Sequence, residues 1–317
     1  MPGLARWRRG TRPPFPGPAP RRCGPARGCH RVRPTGPGRG RCPPLCGRPR
    51  RARRPGRQRA SVSEFAIRVE LDPEACVEAA AGIIAASLSE AVATRGHADW
   101  ATTGGSSPRG IYGHLSSAPM VDVIPWADVD VWWSDDRFVA RDHPESNVKP
   151  FDDIMLATDT GVQIPLDQVH PFPTGEAIGR GLGADWCART LADSLRHAAT
   201  ADADGWPVFD LMLLGIGGDG HLLSVFPGST AFDASDLGLA IPAPTHIEPH
   251  IERVTLHPRV VEVAREILMV AYGSDKASVV AQIFGSDRDP RRWPAQLARR
   301  PGATWILDEA AAAELPR

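Results

Sequence analysis

A predicted buried strand that runs directly into a glycine loop is the most constraining feature of this sequence. Residues 208–214 read VFDLMLL, a short apolar run typical of a strand inside a sheet. Four glycines follow within positions 215–220, Asp219 lies among them, and His221 comes directly after. Such a permissive turn at a strand end favours a sheet that carries its functional groups on the loops at its edge.

Strand and helix patterns alternate along most of the chain. The predicted strands are 64–71, the start of 98–108, 129–137, 208–214, 253–257, 266–273 and 303–308. The predicted helices are 73–95, 109–115, 179–199 and 274–284, with a short helix between the strands at 253–257 and 266–273. This order predicts an α/β, modified Rossmann-like fold with a mainly parallel sheet and helices on both faces.

Ligands of such sheets bind beyond the carboxyl ends of the strands. We therefore expect three segments to meet at one edge: the turn at 104–107, the acidic and basic cluster at 135–137, and the loop at 217–221.

Charge divides the chain into two parts. The formal net charge is zero, but residues 1–60 contain 18 arginines, 13 prolines and no acidic residue. The remainder therefore has 19 basic residues against 37 acidic ones, a net charge of −18. We predict a disordered Arg/Pro-rich tail at 1–60 and one folded domain at 61–317, because a segment so poor in apolar residues cannot offset its ordering entropy by burial.

Three other interpretations of 1–60 stay open. The segment is also compatible with a transit peptide, with a charge-driven and non-specific nucleic-acid contact, or with a start codon assigned too early. Its four cysteines are spaced C-x5-C-x12-C-x3-C, unlike the close pairs that zinc prefers, so no metal site is predicted there.

The rest of the composition concerns location and partners. Only Cys76 and Cys187 lie outside the tail, which indicates a reduced, cytoplasmic protein rather than a disulfide framework. The apolar run at 79–88 is too short to span a bilayer, so no membrane partner is expected. We expect no specific nucleic-acid partner, and a monomer or weak dimer.

His221 is the candidate general base, since imidazole takes up and releases protons near neutral pH. Asp219, two residues earlier, is placed to hydrogen-bond the ring and fix its tautomer. One alternative is that His221 only caps a short helix. Another is that 215–220 is the G-x-G-x-x-G dinucleotide motif, but Pro227 and Gly228 interrupt the long helix which that motif requires. We therefore predict no nucleotide cofactor.

The glycine-serine turn before the helix at 109–115 is a candidate phosphate site. Backbone amides at a helix N-terminus bind anions, and a serine hydroxyl adds a donor. Its residues are Gly104, Gly105, Ser106 and Ser107. The alternative is an ordinary loop with a serine N-cap.

Three cations at predicted strand ends are candidate partners for the same anion: Arg137, Arg253 and Lys276. A domain of net charge −18 needs concentrated local cations to bind an anionic substrate. The chain has only two lysines, and Lys276 opens a predicted helix; the alternative is a solvated surface lysine.

Asp135 and Asp136 precede Arg137 on the same predicted strand. Neighbouring side chains on a strand point to opposite faces, so we expect at most one of these carboxylates to face the site. Asp135 is the candidate substrate contact.

Six stretches carry a family resemblance: TGGSSP (103–108), SDDRFVARDHPESN (134–147), DLMLLGIGGDGHLLSVFPGS (210–229), RVTLHP (253–258), GSDKA (273–277) and TWILDEAAA (304–312). In order, over about 62–315, they resemble the 6-phosphogluconolactonases within the wider glucosamine-6-phosphate isomerase/deaminase-like family. Asp136 stands where the family usually has glutamate, Ser107 where it has threonine, and Leu223 where it has a small residue. The stretch 169–175 lacks an arginine often found there.

The resemblance implies hydrolysis of 6-phospho-D-glucono-1,5-lactone to 6-phosphogluconate, in the oxidative pentose phosphate pathway, without metal or cofactor. His221 would act as base, and loop amides near Gly217 would stabilise the oxyanion. Two alternatives stay open. One is an amino-sugar phosphate isomerase/deaminase, which places an acid after the loop where this chain reads Phe226-Pro227-Gly228. The other is a non-catalytic sugar-phosphate sensor.

Overall fold

A computed structural model of the protein describes residues 65–105, 107–157 and 160–316. Contacts divide the chain into two units, Met1–Arg57 and Gln58–Arg317, and every described residue belongs to the second. The predicted tail and its four cysteines lie outside the described residues, so the proposed domain organisation stays a prediction.

The described residues form ten strands and eight α-helices. The strands are β1 (Ala66–Glu70), β2 (Ala98–Thr102), β3 (Val129–Trp133), β4 (Asp135–Arg137), β5 (Val169–His170), β6 (Leu211–Leu214), β7 (Gly238–Ile241), β8 (Arg253–Leu256), β9 (Glu266–Ala271) and β10 (Ala303–Asp308). The helices are α1 (Pro73–Arg95), α2 (Ser107–Leu115), α3 (Met120–Val123), α4 (Lys149–Ile154), α5 (Thr174–Gly179), α6 (Ala184–Ala198), α7 (Arg259–Val263) and α8 (Ala277–Gly285).

The central sheet has seven strands in the order β1-β10-β9-β6-β2-β3-β5, and every neighbouring pair is parallel. Its central strands β2 and β6 are buried along their whole length, as parallel strands covered on both faces must be. The predicted fold class, α/β with a mainly parallel sheet, is confirmed.

A second sheet corrects part of the strand prediction. The predicted strand 129–137 breaks at Ser134, and its second half, β4, pairs antiparallel with β8, which pairs antiparallel with β7. The Ser134 N–H donates to the Thr102 carbonyl at 3.2 Å, while the Ser134 carbonyl accepts from Leu256 N at 2.9 Å. The chain therefore leaves one sheet and enters the other at this residue, and the predicted strand 253–257 belongs to the smaller sheet.

Helix α1 has the boundaries that its sequence predicts. The Asp72 carboxylate accepts a hydrogen bond from Ala75 N at 2.9 Å, Pro73 occupies the first turn, and Gly96 ends the helix in the left-handed conformation at φ 79°. With 23 residues, α1 is long and apolar enough to span a bilayer. The short apolar run at 79–88 therefore does not exclude a membrane span on the ground of length, as the sequence had suggested. One side of α1 is instead buried in the core, including Leu88 at 0% exposure.

The predicted helix 179–199 is shorter than expected. Its residues divide between the end of α5 at Gly179 and α6 from Ala184, because Gly181 adopts φ 66° and breaks the helical path. The predicted helix 274–284 begins as a single 3-10 turn at Ser274–Lys276 before α8.

Tyr112 fixes the turn that enters α2. Its ring is fully buried, and its hydroxyl donates to the Thr103 carbonyl at 2.8 Å and shares a hydrogen bond with Thr102 Oγ1 at 2.7 Å. The end of β2 and the start of α2 are thereby held together, which sets the position of the glycine-serine turn.

Replacing Leu88 with alanine should test the importance of the α1 core. The expected loss in free energy of unfolding is about 2–5 kcal/mol, because Leu88 is fully buried and its removal leaves a cavity. The matched control is Leu166→Ala, at a side chain 75% exposed, where a change below about 0.5 kcal/mol is expected. Urea unfolding followed by fluorescence measures both. Equal effects of the two substitutions would contradict the assigned core.

Candidate active site

A cavity of about 280 Å³ lies beyond the carboxyl ends of β2, β6 and β9, beside β4 and β8. The structure brings nine of the predicted site residues into its wall: Gly104, Gly105, Ser107, Asp135, Arg137, Gly217, His221, Arg253 and Lys276. Asp219 contacts His221 from outside the wall, and Ser106 lies outside the described residues.

His221 and Asp219 form a hydrogen-bonded pair. The distance from His221 Nδ1 to Asp219 Oδ1 is 2.6 Å, and the same oxygen accepts from His221 N at 3.0 Å. Burial raises the pKa of Asp219, but hydrogen bonds from the His221 side chain, from His246 and from the His221 backbone outweigh it and hold the pKa well below its usual range. Asp219 is therefore ionised and accepts the Nδ1 proton, which leaves the lone pair of neutral His221 on Nε2.

The missing side chain of Gly217 makes room for this imidazole. A Cβ added there would lie 2.0 Å from His221 Nδ1 and 2.1 Å from Cε1. The neighbouring Gly218 has open space at the same position. Gly217 is thus required by the ring, whereas Gly218 is not.

The Gly217 amide already has a partner within its own turn, so an oxyanion role for loop amides near Gly217 stays a prediction for the neighbouring amides. Its N–H donates to the His221 carbonyl at 3.1 Å and closes the turn. Because that proton is already used, the Gly217 N–H is not a free donor for an oxyanion.

Positive charge is concentrated on one wall. Arg137 and Arg253 are directly opposite each other on the antiparallel strands β4 and β8, a pairing that like charges disfavour. Burial and the charge of Arg137 lower the pKa of Arg253, which nevertheless stays cationic as arginine does in proteins. Arg137 contacts the Glu145 carbonyl at 2.8 Å, while Arg253 has no ion-pair partner among the described residues. A bound anion would relieve the repulsion between the two guanidinium groups.

Asp135 and Asp136 face opposite ways, as expected for neighbours on a strand. Asp135 lines the cavity, and its Oδ2 accepts from Ser224 Oγ at 2.7 Å. Asp136 is fully buried, and its Oδ1 accepts from the backbone N–H groups of Arg137 and Asn147, each at 2.7 Å. Asp136 thus orders the cavity wall from behind.

Asn147 is a site residue that was not predicted from the sequence. It lines the cavity, its Nδ2 donates to the Asp135 carbonyl at 2.9 Å, and its Oδ1 is a buried acceptor without a partner among the described residues. A Cβ on Gly104 would lie 2.1 Å from this Oδ1, so only glycine fits there. The single signal in the sequence is its place at the end of 134–147, one of the six stretches that carry the family resemblance.

Leu223 and Tyr272 also line the wall, although neither was predicted as a site residue. Leu223 has φ 57°, the one described non-glycine residue with a left-handed backbone, which costs about 1 kcal/mol or more. The turn places the next residue, Ser224, against Asp135.

A separate group of possible metal donors lies at the other end of the sheet, outside the cavity wall. His97, Asp99 and Asp130 place donor atoms within 4.8 Å of one another. Their contacts are already made, since Asp130 Oδ1 lies 2.6 Å from His170 Nε2 and Asp99 Oδ1 accepts from Trp132 Nε1 at 2.9 Å. That the reaction needs no metal stays a prediction.

A parallel α/β sheet with an imidazole-carboxylate pair and clustered cations at its carboxyl edge is typical of an enzyme for a small anionic substrate. The family model for glucosamine-6-phosphate isomerases/6-phosphogluconolactonase matches residues 71–306. The chain belongs to this family, and the resemblance seen in the sequence is confirmed.

Curated relatives and solved structures agree with this assignment. The chain is 34% identical over 247 residues to a 6-phosphogluconolactonase of Mycobacterium tuberculosis, covering 77% of this chain and 96% of the relative. It is 32% identical to one of Streptomyces coelicolor, covering 78% and 94%. The solved 6-phosphogluconolactonase of Trypanosoma brucei superposes with a TM-score of 0.69 at 25% identity, covering 80% of this chain and 99% of that one.

Asp136 predicts a specific dependence of stability on pH. Burial raises its pKa from 3.8 to about 7, against the opposing hydrogen bonds from Asn147 and Arg137. A carboxyl with a raised pKa stabilises the fold fully when the pH lies below 3.8, the pKa of the group in the unfolded chain. That contribution is lost as the pH rises through about 7.

Asparagine at position 136 stays neutral at every pH. The free energy of unfolding of Asp136→Asn, relative to that of the unmodified protein, should therefore increase by about 3 kcal/mol as the pH rises from about 5 to about 8. Urea unfolding of both proteins across that range measures the difference. A difference that stays constant with pH would show that Asp136 is ionised throughout.

Proposed function

We propose that this enzyme hydrolyses 6-phospho-D-glucono-1,5-lactone to 6-phosphogluconate, the oxidative pentose phosphate pathway step, with His221 as general base. The observation that carries the proposal is the shared cavity, in which His221 faces the same space as Arg137, Arg253 and Lys276. The names of the curated relatives support the substrate.

Phosphate binding positions the lactone in this proposal. The two guanidinium groups and the Lys276 ammonium supply charge, and the glycine-serine turn supplies amides at the N-terminus of α2. Asn147 Oδ1 is available to accept a hydrogen bond from a sugar hydroxyl. Binding energy from these groups, remote from the reacting carbon, orients the ring for attack.

His221 Nε2 takes a proton from water in the first step, and the water oxygen bonds to the lactone carbonyl carbon. When the tetrahedral intermediate collapses, the bond between that carbon and the ring oxygen breaks. The proton held on Nε2 passes to the ring oxygen, which becomes a hydroxyl. Asp219 accepts the Nδ1 hydrogen bond throughout and stabilises the transient imidazolium.

We also propose a cytoplasmic location and a small-molecule substrate as the main partner. Cys76 and Cys187 are buried free thiols, and burial raises the pKa of each to about 12, which keeps them protonated and unreactive. A reducing compartment suits such residues.

His221→Ala should lower lactone turnover by about 10²–10⁴-fold, the usual loss when a general base is removed. Turnover is measured by coupling the product to 6-phosphogluconate dehydrogenase and subtracting spontaneous hydrolysis. His197→Ala is the control, because His197 is exposed on α6 and its side-chain hydrogen bond in the described structure is to Asp193 of the same helix. Near-normal turnover by His221→Ala would remove it from the role of base. Ammonia release from glucosamine 6-phosphate would instead favour a deaminase.

Gly217→Ala should lower kcat by at least about 10-fold, because the added methyl overlaps the His221 ring and moves the base. Gly218→Ala adds the same methyl to open space one residue later and should change kcat by less than about twofold. The same coupled assay compares the pair. Equal losses would mean that loop stiffness, not ring placement, limits the reaction.

A further inference from the structure

The Asp219 carboxylate is shared by two imidazoles. Its Oδ1 lies 2.6 Å from Nδ1 of His221, and its Oδ2 lies 2.9 Å from Nε2 of His246. His246 belongs to the connection between β7 and β8. We propose that His246 is a positioning residue for catalysis, which fixes the Asp219 carboxylate and through it the His221 ring. The inference rests on the proposed function of His221.

Asp219 needs an anchor from outside its own loop. It lies between Gly218 and Gly220, two residues without side chains, and Gly220 adopts φ 83°. Glycine restrains the backbone least of all residues, and the local hydrogen bonds to the carboxylate, from the His221 backbone and ring, engage Oδ1 alone. Within the described residues, His246 is the side chain from another element that hydrogen-bonds Asp219.

The Asp219 carboxylate determines which nitrogen of His221 and which nitrogen of His246 carries a proton. Asp219 is ionised and can only accept, so both His221 Nδ1 and His246 Nε2 must donate to it. With both oxygens engaged, the carboxylate cannot rotate without breaking a charge-assisted hydrogen bond. The His221 tautomer with its lone pair on Nε2 is thereby fixed.

Phe226 completes the support. Its ring centroid lies 4.8 Å from that of His221 and 5.5 Å from that of His246. The planes of the Phe226 and His246 rings form an angle of 84°. The connection carrying His246 is tied to the cavity wall, since Arg253 donates to its Ile251 and Pro249 carbonyls.

His246 is absent from the cavity wall, and its side chain is 52% exposed. It therefore acts on the reaction through Asp219 and not by touching substrate. This position predicts an effect on kcat with little effect on KM.

Three variants of the full chain test the proposal in the lactone assay. His246→Ala removes the donor and should lower kcat about 10-fold with KM changed by less than about twofold. His246→Gln should restore kcat to within about threefold, because its amide nitrogen reaches the place of Nε2 and still donates. His250→Ala, on the same connection but without contact to Asp219, should behave as the unmodified protein.

Unchanged kcat in His246→Ala, an equal loss in His250→Ala, or no recovery in His246→Gln would each overturn the proposal. A rise in KM at constant kcat would also overturn it, because it would assign His246 to substrate binding.

A second measurement needs no turnover and separates this inference from the proposed function. Proton NMR of the ¹⁵N-histidine-labelled protein observes the His221 Nδ1 proton, assigned by its absence in His221→Gln. The signal should exchange faster with water in His246→Ala and be retained in His246→Gln. If the unmodified protein hydrolyses no lactone but the signal behaves this way, the positioning of His221 stands while the proposed substrate fails; an unaltered signal in His246→Ala overturns the positioning.

Discussion

The cavity depends on one buried hydrogen-bonded residue, Asn147. Its backbone N–H donates to Asp136, its side chain donates to the Asp135 carbonyl, and its carbonyl accepts from Trp133 Nε1 at 3.2 Å. Gly104 packs against the same side chain without room for a Cβ. One residue, through its backbone and its side chain, therefore sets the spacing between the parallel sheet, the smaller sheet and the glycine-serine turn. Because all these groups are buried, loss of any partner leaves an unsatisfied polar atom, which makes the arrangement rigid.

Electrostatics add a second constraint. The sequence outside 1–60 carries a net charge of −18, yet the cavity wall places Arg137 opposite Arg253 in strand register. Local repulsion of this kind is relieved where a ligand provides the compensating charge. The wall therefore offers an anion local positive charge within a part of the sequence whose net charge is negative.

The sequence predicted the parts of this structure that are encoded locally. The bounds of α1, the glycine loop before His221 and the alternation of strands and helices all follow from short-range patterns, and the strand-end rule placed distant segments at one cavity. Contacts across long separations were not predictable. The break at Ser134 has no glycine or proline to mark it, because it results from pairing with Leu256. His246 and Asn147 lie in connections without periodicity, so nothing in their neighbourhoods indicated what they would touch.

Because the chain has few lysines, chemical modification of Lys276 can report on the cavity. The chain has two side-chain amines: Lys149 pairs with Asp153 on α4, and Lys276 stands in the cavity wall. An amine-selective acylating reagent therefore has two side chains to modify, and peptide mass spectrometry distinguishes them in one digest. Occupancy of the cavity becomes visible as shielding of a single amine, with the other serving as an internal reference in the same molecule.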